Sequence, residues 1–163
     1  MPAILFVCRA NQFRSPIAAA CFSRAIRQLG NGSGWVVESA GTWTKTGLRV
    51  PPVVFQITRR LGLSGLARHV SRQLTLEILN QFDLIVVMEN GQKEAIVSEF
   101  PARRGSVFLL SEIVDGTAYD IADPAMPGVD PDRVADEISL LINKGAVQIM
   151  RLAQSLQAES NSS

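Results

Sequence analysis

The chain has 163 residues, 47% of them apolar and 19% charged, with a formal net charge of +1. That length closes one hydrophobic core and is short for two, and the near-cancellation of acids and bases excludes a bulk charge that would point to nucleic acid or a membrane surface. The opening Met-Pro-Ala-Ile-Leu-Phe-Val has no basic leader and its apolar run stops at Arg9; it fits neither a signal peptide nor a membrane span, so a cytoplasmic protein is expected.

In chain order, Ile4 to Val7 reads as a short buried strand. Ala18, Cys21, Phe22, Ala25, Ile26 and Leu29 then follow the helical period. Ser15 is expected to cap this helix, Pro16 suits its first turn, and Gly30-Asn31-Gly32 ends it. The connecting loop is therefore residues 8 to 14. Trp35 to Ala40, Asp83 to Met88 and Ser106 to Leu110 read as further buried strands with helical stretches between them, and residues 43 to 52 as a loop. The last helix is expected to start after Asp130, with Pro131 in its first turn, and to run toward Leu156 with Gly145 as a weak point. Alternation of this kind predicts an α/β fold with a parallel sheet. No repeat or linker divides the chain, so residues 1–158 are expected to form one domain and 159–163 a frayed tail.

Two cysteines thirteen positions apart and a single histidine make neither a disulfide framework nor a zinc site, so no metal or cofactor is expected. Cys21 shares the apolar helix face with Ala18, Phe22 and Ala25 and reads as core. Cys8 stands elsewhere, in Cys8-Arg9-Ala10-Asn11-Gln12-Phe13-Arg14-Ser15, between a strand and a helix N-terminus. Unpaired amides and the helix dipole favour an anion there, so a phosphate or sulfate ion is expected in the loop. The same amides and Arg14 favour a thiolate, which would make Cys8 a nucleophile at neutral pH. Arg14 can offer two parallel donors to phosphate oxygens and hold the charge that builds up during phosphoryl transfer. A Cys and an Arg at this spacing arise by chance in roughly one such chain in six, so their placement carries the reading.

Cleaving a phosphate ester needs a proton for the leaving oxygen and later an activated water, which one carboxyl group can supply in turn. Two Asp-Pro pairs are candidates. Asp130-Pro131 is explained as a helix cap with proline behind it, which leaves Asp123-Pro124 for the acid, with Asp120 as its rival.

The stretch CRANQFRSP after a short apolar strand resembles the phosphate loop CxGNxCRSP of the low-molecular-weight protein tyrosine phosphatases, matching at Cys8, Asn11, Arg14, Ser15 and Pro16. The resemblance continues through Ser39-Ala40-Gly41-Thr42, His69 to Thr75, Phe82 to Glu89 and Asp123-Pro124, in family order. It implies a Rossmann-like three-layer sandwich, a four-stranded parallel sheet flanked by helices on both faces, with the site at the carboxyl end of the first strand. It also implies hydrolysis of phosphotyrosine or small aryl phosphates through a cysteinyl phosphate. Cys8, Arg14 and Asp123 would be catalytic, Arg9 to Ser15 would bind phosphate, and Asn11, Ser15, Ser39 and His69 would form a supporting network. A monomer is expected.

Some residues depart from that pattern. Ala10 replaces the loop glycine and is expected to carry strain if its φ is positive. Phe13 stands where many members have a second cysteine, so no internal disulfide would protect Cys8 from oxidants. Ala125 and Met126 replace the aromatic residues usual after Asp-Pro, and Trp43 is a candidate pocket wall. Two other functions compete: a phosphoanion-binding module without turnover, and a thiol-dependent arsenate reductase, for which only Cys21 could relay a disulfide.

Overall fold

A computed structural model describes residues 1–163. It contains a four-stranded sheet built from β1 (Ala3–Cys8), β2 (Val36–Gly41), β3 (Leu84–Val87) and β4 (Val107–Leu109), in the order β2-β1-β3-β4. All three pairings are parallel. Ile4 and Phe6 point to one face and Leu5 and Val7 to the other, and both sets are fully buried. A strand covered on both faces has no reason to alternate with polar residues, which is why these strands read as unbroken apolar runs. Each predicted strand differs from the observed one by one residue at each end, within the usual uncertainty of element boundaries, and for β1 that residue brings Cys8 into the strand.

The larger core lies under α1 (Arg14–Gln28) and α6 (Pro131–Asn161). Ile17, Cys21, Phe22 and Ile26 of α1 and Ile138, Ile142 and Ile149 of α6 are each 2% exposed or less. Each large side chain buried in this way contributes about 1.5–3 kcal/mol relative to leaving it exposed. Phe22 also stacks near Phe6 of β1, with ring centroids 5.7 Å apart. The smaller core, on the opposite face, holds Leu79 of α3 (Leu76–Leu79) and Ile96 of α4 (Asn90–Glu99). The remaining helices are α2 (Pro52–Leu61) and α5 (Leu110–Asp115). No helix is long and apolar enough to cross a membrane.

Three local expectations need correction. Ser15 does not cap α1: the helix starts at Arg14, its N-cap is Phe13, and no side chain bonds its first amides. The Ser15 hydroxyl is turned toward Cys8 instead. The tail expected to fray from Glu159 remains helical through Asn161. Gly145 is no weak point either, because α6 passes through it unbroken.

The reason for Gly145 is contact with α5. A Cβ at that position would lie 2.3 Å from Val114 Cγ2 and 3.0 Å from Val114 Cβ. Helix propensity alone would favour alanine there by about 1 kcal/mol. Overpacking costs about 1–3 kcal/mol, and a contact this close to Val114 Cβ calls for the upper part of that range, so Gly145→Ala is expected to destabilise the fold by up to about 2 kcal/mol in urea unfolding. A variant as stable as the parent would show that α5 yields without strain.

Asp130 behaves as expected, its Oδ1 accepting the Asp132 amide at 3.0 Å with Pro131 at the first helical position. That role leaves Asp130 outside the loop chemistry.

Candidate active site

The loop between β1 and α1 is shaped by Asn11. Asn11 is the only non-glycine residue with positive φ, at 57°, a conformation its short amide side chain tolerates better than most. Ala10 has no positive φ, so the strain expected there is absent. The fully buried Asn11 side chain donates to Ser15 Oγ at 2.8 Å and to Ser39 Oγ at 2.9 Å, and accepts the Arg72 amide at 3.0 Å. Its carbonyl accepts from His69 Nε2 at 2.7 Å. Burial, with the Arg72 guanidinium adding to it, pushes the His69 imidazole below its ordinary range against the pull of that carbonyl. That lowering favours the neutral ring, and the bond to a carbonyl puts a proton on Nε2. All four of the expected supporting residues, Asn11, Ser15, Ser39 and His69, meet in this one network.

Cys8 ends β1 and is 2% exposed. Its Sγ lies 3.0 Å from Ser15 Oγ and accepts the Asn11 amide at 3.3 Å. Both contacts can stabilise negative charge on sulfur, since a hydroxyl and an amide donate to a thiolate. Close passage of β2 completes the cradle: a Cβ on Gly41 would stand 2.7 Å from the Arg9 carbonyl oxygen, so only glycine fits.

Arg14, at the start of α1, is also 2% exposed. Nη1 donates to the Ile121 carbonyl at 2.8 Å and lies 3.3 Å from Glu89 Oε1, and Nη2 lies 3.5 Å from Asp123 Oδ2. A buried guanidinium needs such compensation, and these partners also fix the plane of its fork. Glu89 is a residue that sequence reasoning missed. A signal was present: it is an acid directly after the buried run of β3, the neighbour of β1, and so at the same sheet edge as Cys8.

The segment carrying Asp123 is tied down at several points. The Ile121 amide donates to the Met88 carbonyl at 2.9 Å, and Ser111 Oγ exchanges hydrogen bonds with the backbone of Tyr119. Asp115 accepts the Tyr119 hydroxyl and pushes that phenol up to about 12. Asp120, the rival acid, spends its Oδ1 on the Asn90 amide at 2.8 Å, holding the start of α4. Asp123 instead lines a cavity of about 320 Å³ together with Cys8 and Arg14.

The walls of that cavity are Phe13, Pro51, Val53, Pro124, Ala125 and Pro131. Ala10 and Gln12 also line it, while Trp43 does not. Trp43 is 71% exposed and lies under the Arg9 guanidinium, 4.8 Å from ring centroid to Cζ. Cys21 is fully buried on α1, where burial pushes its thiol up despite nearby Arg24 and a hydrogen bond with Ser139. A thiol so enclosed cannot exchange with an external reductant, which disfavours the arsenate reductase reading.

A buried thiol, a guanidinium, a carboxyl group and an apolar cleft meet where no side chain caps the start of α1, the set of groups a cysteine phosphatase needs. The model of the family "Low molecular weight phosphotyrosine protein phosphatase" matches residues 3–162, and the chain belongs to that family. A protein-arginine-phosphatase of Geobacillus stearothermophilus is 36% identical over 96% of this chain and 97% of its own. The probable low-molecular-weight protein-tyrosine-phosphatase EpsP of Ralstonia nicotianae is 36% identical over 74% of this chain and 77% of its own. Among solved structures, a mutant of the YwlE arginine phosphatase with a phosphorylated active-site serine superposes with a TM-score of 0.82 at 31% identity, covering 92% of this chain and 99% of that one. The tyrosine phosphatase Wzb of Escherichia coli K30, in complex with sulphate, gives 0.72 at 26% identity, covering 94% and 97%. Cysteine-based phosphatase activity is thus shared with the family.

Proposed function

We propose that this phosphatase removes phosphate from phosphotyrosine in proteins through a cysteinyl phosphate, with Cys8, Arg14 and Asp123 as its catalytic residues. The carrying observation is that Cys8, Arg14 and Asp123 line one apolar cleft, with Ser15 Oγ 3.0 Å from the sulfur. The Cys8 thiolate attacks phosphorus, forming the S–P bond as the bond to the ester oxygen breaks. Asp123 gives its proton to that leaving oxygen. Arg14 and the amides from Arg9 to Ser15, those of Ala10, Asn11, Gln12 and Phe13 included, hold the three remaining oxygens. Water then attacks phosphorus and passes a proton to Asp123. The S–P bond breaks, returning the thiolate, which Ser15 steadies, and phosphate leaves. Glu89 is a positioning residue that keeps Arg14 in plane. No metal or organic cofactor takes part, and the enzyme works as a single-domain monomer in the cytoplasm, where its two free thiols stay reduced.

A second substrate, protein phosphoarginine, is favoured by a specific observation. The cleft wall is aliphatic and proline-rich, with Phe13 its only aromatic ring and nothing aromatic following Pro124. The relative of Geobacillus stearothermophilus, matched over nearly its whole length, carries arginine phosphatase in its name. The same steps apply with P–N in place of P–O cleavage.

Two peptides of one sequence, bearing phosphotyrosine or phosphoarginine, distinguish these substrates in a metal-free phosphate-release assay. Higher kcat/KM on phosphotyrosine is expected, and a reversal transfers the assignment to phosphoarginine. Asp123→Asn should lower kcat on the phosphotyrosine peptide about 10²-fold, and less on a nitrophenyl phosphate whose leaving group needs no proton. An equal loss on both esters would remove Asp123 from the role of acid.

A further inference from the structure

The rim of the catalytic cleft carries a charge pattern that phosphoryl transfer does not use. From Ser39 to Leu76 the sequence has no Asp or Glu and six Lys or Arg, in a chain with a net charge of only +1. Arg60 pairs with Asp132 and Asp136, and Arg72 with Glu38. Lys45, Arg49, Arg59 and Arg68 are exposed and have no carboxylate within 4.0 Å. Arg9, exposed and equally without a carboxylate, is held over the face of Trp43. The indole, 71% exposed beneath a guanidinium that has no carboxylate partner, presents an apolar face and a cation side by side.

The path of the backbone joins Arg9 and the segment from Trp43 to Arg49 into one strip. The Trp43 amide donates to the Arg9 carbonyl at 3.0 Å, and Gln12 Nε2 donates to the Arg49 carbonyl at 2.9 Å. Two residues later Pro51 forms the cleft wall. The segment from Trp43 to Arg49 thus runs along the outside of the phosphate loop and into the cleft. It is also rigid. Ser71 Oγ accepts the Leu48 amide and donates to the Lys45 carbonyl, while Gln73 bonds the Thr44 amide and the Thr42 carbonyl.

We propose that Arg9, Trp43, Lys45 and Arg49 form a docking strip for an acidic polypeptide segment flanking the phosphorylated residue of the substrate. This rests on the phosphatase reading of the cleft, since whatever lies on the strip is tethered to the group bound below. Charge complementarity selects the partner: exposed cations without a carboxylate partner, Arg49 bonding only the Ala67 carbonyl, and with no acid in their segment favour Asp and Glu side chains. A protein segment also suits the exposed indole, which offers an apolar face beside the cations. Each exposed pair contributes a factor of about two, so three together give a preference of about tenfold in kcat/KM.

The test compares two phosphopeptides that differ only in flanking Asp and Glu replaced by Asn and Gln, each carrying whichever phosphorylated side chain the enzyme hydrolyses. The parent enzyme should prefer the acidic peptide about tenfold at low salt, and the preference should collapse in 0.5 M NaCl, about the ionic strength at which surface pairs are screened. The Lys45→Gln/Arg49→Gln double variant should lose most of the preference while hydrolysing a small aryl phosphate as the parent does. Equal rates on both peptides, or a double variant that keeps the preference, would overturn the strip while leaving the phosphatase chemistry standing. Stronger inhibition by a short oligonucleotide than by poly-glutamate would assign the strip to nucleic acid and overturn it likewise. Loss of aryl phosphate turnover in the parent itself would instead defeat the phosphatase reading.

Discussion

Cys8→Ser is expected to reduce multiple turnover of an aryl phosphate by at least about 10⁴-fold, because a hydroxyl keeps its proton at neutral pH and attacks phosphorus poorly. The fold should survive. Oxygen is smaller than sulfur, and the Ser15 hydroxyl and Asn11 amide that bond Cys8 can both donate to it. The loop should therefore still bind inorganic phosphate, and phosphate protection against thermal unfolding measures this. Prolonged incubation with substrate should leave one phosphoryl group on the introduced serine, detectable as a mass increment. Full turnover by this variant would mean that sulfur makes no bond to phosphorus.

Arg14→Lys is the second large effect, an expected loss of about 10²–10⁴-fold in kcat/KM. Lysine keeps the charge but cannot present two parallel donors. It also cannot reach the Ile121 carbonyl, Glu89 and Asp123 at once, contacts that Arg14 makes with two different nitrogens. The loss should fall on kcat more than on phosphate affinity, because the planar fork matters most when charge spreads over the transferring phosphoryl group. Phosphate binding by calorimetry beside steady-state kinetics separates the two. A lysine variant within threefold of the parent on both would make Arg14 a counter-ion for Glu89 and nothing more.

Both expectations depend on groups that neighbouring segments put in place, and those segments differ in how clearly the sequence announces them. Cys8 to Pro16 is a contiguous motif running from the end of β1 into α1, and its expected chemistry follows from that placement rather than from spacing alone. Asn11 was visible as a motif residue, but its function as the hub of the loop was not. Its partners Ser39, His69 and Arg72 lie 28, 58 and 61 residues away, and only the parallel pairing of β1 with β2 draws Ser39 alongside. The expected cap at Ser15 shows the same limit. Local preference gave that hydroxyl to the helix, and the thiol took it.

The sequence by itself determined the class of fold and the place of the loop between β1 and α1, and it singled out Cys8, Arg14 and Asp123 as candidates, because buried parallel strands, helix punctuation and a strand-loop-helix motif are short-range patterns. Its resemblance to a known family agreed on Asp123 and added the supporting set Asn11, Ser15, Ser39 and His69. Only the tertiary structure decided that Glu89 and the Ile121 carbonyl hold Arg14, that Asp120 is committed to α4, that Trp43 stacks on Arg9 outside the cleft, and that Gly145 is required by Val114. Each of these is a contact between segments distant in the chain, set by how helices and strands pack, and no local periodicity encodes it.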